Sequence, residues 1–123
     1  MTNTYPKVPP LQNKFLTVEI PDISTASQRY VTPGFSGKIV NFYSALNGAI
    51  TGADADLTAK IGGVAVTGGL ITVAQSGSGA GDVDSATPTA KNFFTAAQSI
   101  EIETDGASSG TVAVIVTLEL QPL

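Results

Sequence analysis

The stretch Gln98-Ser-Ile-Glu-Ile-Glu-Thr-Asp-Gly-Ala-Ser-Ser-Gly-Thr-Val-Ala-Val-Ile-Val-Thr-Leu-Glu-Leu120 decides the fold class. In its second half Val112, Val114, Val116, Leu118 and Leu120 fall on one face, and Thr111, Ala113, Ile115, Thr117 and Glu119 on the other. Alternation sustained over this length is the pattern of a half-buried β-strand. The first half alternates too, with Ile100 and Ile102 on the inner side and Glu101 and Glu103 on the outer. Between them Asp105–Gly110 is rich in residues that tolerate turn geometry. The spacing predicts a β-hairpin serving as the central ladder of an antiparallel sandwich.

Working outward, Phe15-Leu-Thr-Val-Glu-Ile20 repeats the alternation, with Leu16, Val18 and Ile20 inward, and Pro21-Asp22 ends it. Gln28–Thr32 reads as a short strand stopped by Pro33-Gly34, a pair suited to a type II turn. Gly37-Lys-Ile-Val-Asn-Phe-Tyr-Ser-Ala-Leu46 is a strong strand. Strict alternation puts Ile39, Asn41, Tyr43 and Ala45 on one face and Val40, Phe42 and Leu46 on the other. Both faces are largely apolar, so a central strand covered on both sides is expected, one cover being the core and the other either a subunit contact or a buried loop of the same chain. Leu57–Ile61, Val64–Thr67 and Leu70–Gln75 read as three short strands joined by Gly62-Gly63 and Gly68-Gly69, the first pair a two-residue hairpin connection. Residues 76–92 form the longest stretch without pattern, which in a compact domain marks a contact or functional loop. Thr95–Gln98 is expected to make one helical turn.

Residues 1–14 read as an extended arm, because Pro6, Pro9 and Pro10 remove backbone donors and favour a polyproline-like path. The arm is expected to be either a disordered tail or a strap that lies on a neighbouring subunit or scaffold and orders only in the assembly. Tyr5, Val8 and Leu11 recur every third residue and share one side of such a path. The division expected is therefore an arm over residues 1–14 and a β-sandwich domain over 15–123. Tyr5, Val8, Pro9, Leu11 and Tyr43 are the expected assembly contacts. The fold class expected is all-β: an antiparallel β-sandwich, jelly-roll-like, since the long connections over 21–37 and 76–97 suit Greek-key crossings.

Composition narrows function by exclusion. The chain has 123 residues, no cysteine, no histidine and no tryptophan. Disulfides and thiolate metal sites are excluded, and so are the usual neutral-pH general base and the commonest zinc ligand. Six basic residues, scattered along the chain, face ten acidic ones, for a net charge of −4. No basic stripe exists to track a phosphate backbone, so no nucleic-acid partner is expected. No apolar run is long enough to span a bilayer and the first residues lack the shape of a signal peptide, so no membrane partner is expected and synthesis in the cytosol without general export is. Charged residues make up only 13% of the chain, which gives a nearly neutral surface that other subunits can cover at little desolvation cost.

The constellations that could carry chemistry are weak. Asp54/Asp56 and Asp82/Asp84 are alternate carboxylates in glycine-rich loops, a pattern that can hold Ca²⁺, but neither meets the EF-hand spacing, and solvated turn acids explain both. Glu101, Glu103 and Glu119, read as lying together on the outside of one hairpin, could pair as in a glycosidase, yet outward strand glutamates are ordinary solubilising residues and no aromatic sugar platform accompanies them. Ser76-Gly-Ser-Gly-Ala-Gly81 lacks the Gly-Lys-Ser/Thr of a phosphate loop. Gly34-Phe-Ser-Gly37 is not a nucleophile elbow. No catalytic, metal-ligating or cofactor-binding residue is expected.

Tyr30-Val-Thr-Pro-Gly-Phe-Ser-Gly-Lys-Ile-Val40, Ala55-Asp-Leu-Thr-Ala-Lys-Ile-Gly-Gly63 and Ala97-Gln-Ser-Ile-Glu-Ile-Glu-Thr-Asp-Gly106 together resemble the small jelly-roll proteins that decorate the heads of tailed bacteriophages. The resemblance covers residues 28–120 and carries across no site residues. It implies a structural, non-enzymatic virion protein on the capsid surface, assembled in the host cytoplasm. Its implied partners are the major capsid protein and further copies of itself, as a homotrimer cementing neighbouring capsomers. The alternative expectation is a carbohydrate- or receptor-binding module of a phage fibre or spike, which would show an exposed aromatic cluster or a Ca²⁺ site.

Overall fold

The computed structural model describes residues 12–123 and contains nine strands and, among these residues, no helix. In chain order they are β1 (Lys14–Ile20), β2 (Ser27–Val31), β3 (Gly37–Leu46), β4 (Ala55–Ile61), β5 (Val64–Val73), β6 (Val83–Ala86), β7 (Phe93–Phe94), β8 (Ile100–Thr104) and β9 (Val114–Pro122). They form two antiparallel sheets. One is five-stranded, ordered β1-β9-β3-β6 with β7 also on β3; the other is four-stranded, ordered β2-β8-β4-β5. Six of the connections cross from one sheet to the other, and the first strand pairs with the last. This interleaving is jelly-roll-like and closes the sandwich on itself. Residues 1–11, which hold Tyr5, Val8, Pro9 and Leu11, lie outside the described residues.

The inward side chains of both sheets make one core. Val18 and Ile20 from β1, Phe42 and Leu46 from β3, and Val114, Val116, Leu118 and Leu120 from β9 meet Leu57, Ala59 and Ile61 from β4, Ile71 and Val73 from β5, and Ile100 and Ile102 from β8. The period-2 pattern survives intact in β1, β4 and β9, whose inward residues are the ones that alternation selects.

The expected hairpin between Ile100–Thr104 and the last strand does not form. β8 pairs with β2 and β4, while β9 pairs with β1 and β3 in the opposite sheet. Alternation shows that a strand has one buried face and says nothing about its partner; here Ile100/Ile102 and Val114/Val116 face each other across the core. The intervening segment is a crossover held by its backbone. Asp105 N donates to Asp56 O at 3.1 Å, Ser109 N to Thr51 O at 2.8 Å, and Ile23 N to Val112 O at 2.8 Å.

β3 corrects a second expectation. A bulge shifts its register on β9 between Ile39 and Asn41, so Ile39 turns inward with Phe42, Ser44 and Leu46. Val40, Asn41, Tyr43 and Ala45 are left half-buried. The strand is central, flanked by β9 on one edge and by β6 and β7 on the other, but its outer face is not covered by any described residue as fully as its inner one.

Elsewhere Gly62 and Gly63, both at positive φ (58° and 80°), make the tight β4–β5 turn that was expected. The segments on either side of Gly68-Gly69 are one strand, not two: β5 runs through with a bulge, and Gly68, at φ 77°, lets it bend beside Thr87–Thr89. The patternless stretch over 76–92 contributes β6 to the edge of β3, and Thr95–Gln98 is a single hydrogen-bonded turn rather than a helical one, with Gln98 N donating to Thr95 O at 3.0 Å.

Candidate functional site

The two outer faces of the sandwich differ in chemistry. On the four-stranded sheet, outward positions carry Tyr30, Glu101 and Lys60 in one cross-strand row and Gln28, Glu103 and Thr58 in the next. Lys60 Nζ and Glu103 Oε2 form an ion pair of 3.0 Å. That contact holds the Glu103 carboxyl below its usual range and raises the Lys60 ammonium above its own. Beside this ion pair the same face exposes two large apolar side chains, Tyr30 and Leu70, and Glu101 is buried.

On the five-stranded sheet the outward rows are Glu19–Ile115–Ala45–Val83, Thr17–Thr117–Tyr43–Ser85 and Phe15–Glu119–Asn41. Across these three rows there are two carboxylates and no cation. Phe15 and Val83 are 59% and 67% exposed at opposite edges of the sheet. Between them lies an open apolar depression of about 400 Å³, walled by Phe15, Tyr43, Ala45, Val83 and Ile115, with Glu119 at one end. Large apolar side chains gathered on one face, rimmed by polar groups, are the mark of an interaction surface.

Glu119 organises the polar end. Its Oε1 accepts from Asn41 Nδ2 at 3.0 Å and from the Tyr43 hydroxyl at 3.1 Å, and its Oε2 accepts from Asn13 Nδ2 at 2.8 Å. The Asn41 Oδ1 in turn accepts from the Thr87 hydroxyl at 3.0 Å. These donors, Asn41 first and then Asn13, hold the Glu119 carboxyl below its usual range against the opposing effect of partial burial. Tyr43 moves the other way: partial desolvation, and then the hydrogen bond to the Glu119 anion, raise its phenol above the ordinary value. The network ties the Tyr43 hydroxyl and Asn13, near the start of the described chain, to Glu119 on β9.

Of the residues expected to make assembly contacts, Tyr43 stands on this face, and Tyr5, Val8, Pro9 and Leu11 lie outside the described residues. The three glutamates read as sharing one hairpin are separated: Glu101 and Glu103 stand on the four-stranded sheet and Glu119 on the five-stranded one. The loop acids serve turns and strand ends. Asp54 accepts from Gln75 N at 2.9 Å, Asp56 from the Thr72 hydroxyl at 2.8 Å and Asp82 from Gly79 N at 2.8 Å. Among the described residues no three His, Cys, Asp or Glu side chains gather as a metal site would need. Phe15, Val83 and Ile115 were not singled out by residue chemistry. The signal was nonetheless present for Phe15 and Ile115, large apolar residues at outward positions of alternating strands, whereas Val83 lies in the stretch without pattern.

No protein-family model and no curated protein matches the chain.

Proposed function

We propose that the chain is a structural virion protein that decorates the capsid of a tailed bacteriophage and stabilises it by bridging capsomers. The observation that carries this reading is the open apolar depression on the five-stranded sheet, whose three rows hold no cation, while the outer face of the other sheet carries the Lys60–Glu103 ion pair. A two-sided body of this kind turns one side to subunits and the other to solvent. The jelly-roll-like frame and the phrases that resemble head decoration proteins point the same way. The partners on this reading are the major capsid protein and further copies of the chain, as a homotrimer on the capsid surface, and no catalytic step is assigned to it.

Capsids lacking the protein provide the test. Added full-length chain should cosediment with them and raise the temperature at which they rupture. Ile115→Lys, on the outer face, should abolish both effects while leaving the chain folded. Equal occupancy by wild type and Ile115→Lys, or no binding at all, overturns the reading.

A second reading, a carbohydrate- or receptor-binding module, draws on one observation: Phe15 and Tyr43 flank the hydrogen-bonding groups of Glu119 and Asn41. Aromatic rings beside a carboxylate and an amide can orient a sugar. Glycan-array binding that is lost in Tyr43→Ala, together with no capsid binding, would favour it.

A further inference from the structure

We propose that the outer face of the five-stranded sheet is the seat for residues 1–11 of a neighbouring copy of this chain, with Tyr5, Val8 and Leu11 covering the apolar depression. This deepens the reading of the face as adhesive by naming what adheres to it.

Three observations carry it. The first is direction. Lys14 pairs with Leu120 and Ile20 with Val114, so β1 runs toward the Ile115–Ala45–Val83 end of the face. The chain therefore enters β1 from the opposite end of the face, where the Asn13–Glu119 hydrogen bond of 2.8 Å holds Asn13. Pro9 and Pro10 stiffen the path just before it, which opposes an immediate reversal onto the same molecule. The second is reach. An extended proline-rich segment of this length spans roughly 34 Å at ~3.1 Å per residue. Crossing four strands takes only about 14 Å at ~4.8 Å per gap. Enough chain is left over to pass from one copy to the next. The third is complementarity. The depression offers apolar walls with carboxylates at Glu19 and Glu119 and no cation in its three rows. The arm offers apolar side chains at every third position with Lys7 as its charge. Lys7 lies between Tyr5 and Val8, where it can meet the exposed carboxylate of Glu19 at the rim.

Self-association measured by sedimentation velocity tests the proposal without any capsid. The full chain should form a concentration-dependent oligomer. Deleting residues 2–11, or introducing Ala45→Glu on the face, should weaken it at least about tenfold while the melting transition persists. Lys7→Glu should weaken it less, and Lys7→Glu combined with Glu19→Lys should restore it. Because the chain lacks cysteine, Thr4→Cys gives a single attachment point for a nitroxide. Mixed with unlabelled ¹⁵N chain, it should broaden the amides of Ala45 and Thr117 and spare Thr58 and Glu103. An oligomer indifferent to the deletion, a full chain that stays monomeric, or no broadening in the ¹⁵N-labelled chain overturns it. A monomer that still binds particles would sink this proposal alone. A self-associating chain that ignores particles would sink the capsid reading and leave this one standing.

Discussion

Gly106 sits where the chain leaves β8 for the opposite sheet, and its backbone passes against Ala26 so closely that a Cβ there would overlap the Ala26 amide. It also holds a φ of +66°, which L side chains rarely adopt. Both demands oppose the same substitution, and the neighbour is backbone, which cannot swing aside. Gly106→Ala is therefore expected to destabilise the fold by about 2 kcal/mol or more, read as a lowered melting temperature with an unchanged strand signal by circular dichroism. Glu119 makes a second claim at this scale. Its donors depress its folded-state carboxyl, so the stability it contributes is complete above the ordinary carboxylate range and is lost as pH falls through that range and below. Glu119→Gln should melt earlier than wild type at neutral pH, and the gap should close in acid. A gap that stays constant across an acid titration of melting temperature would show that the carboxylate charge is irrelevant to the network.

At the scale of elements, the bulge in β3 invites a test that plain alternation would get backwards. Ile39 pairs with Leu120 and Asn41 with Glu119, two adjacent positions on β9, so Val40 is the extra residue. Deleting Val40 leaves Ile39 inward, Asn41 outward and Phe42 inward, a regular strand in the same register. Deleting Tyr43 instead turns Ser44 and Leu46 to the wrong side relative to Phe42. The Val40 deletion is expected to fold, at a cost of roughly 1–2 kcal/mol for one half-buried valine, whereas the Tyr43 deletion should show no cooperative melt. The bulge also marks the limit of what the sequence makes legible. Strand existence and inward sets were readable in β1, β4 and β9 because one face of each is uniformly apolar. The inward set of β3 was not, since Ile39, Val40, Phe42, Tyr43 and Ala45 make both faces apolar and hide the extra residue. The β4–β5 turn was readable because two adjacent glycines define it locally. The partners of β8 and β9 were not, because pairing across the sandwich depends on residues far away in the chain. The docking face was half legible: Tyr43 drew attention as an apolar outward residue, while Phe15 and Ile115 were overlooked at equally outward positions.

For the molecule as a whole, the sheet order has a kinetic consequence. Of the ladders, only β4–β5 joins strands linked by a tight turn; β1–β9, β3–β9, β2–β8 and β4–β8 all close long loops. The entropy of closing those loops must be lost before the core formed by β9 rewards it. β9 lies between β1 and β3, so the five-stranded sheet cannot form until the last residues of the chain arrive. Refolding from denaturant is therefore expected in the range of milliseconds to seconds, as for other sandwiches dominated by distant pairings. The β4–β5 hairpin is the one ladder able to form ahead of the rest. Stopped-flow refolding of Ile71→Val and Val116→Ala separates the two regions. Ile71→Val should slow folding in proportion to its loss of stability if the hairpin is already built in the transition state. Val116→Ala should chiefly hasten unfolding if β9 docks late. A refolding limb slowed by Val116→Ala and untouched by Ile71→Val would place the nucleus in the long-range ladder instead, and would mean that the two ends of the chain meet first.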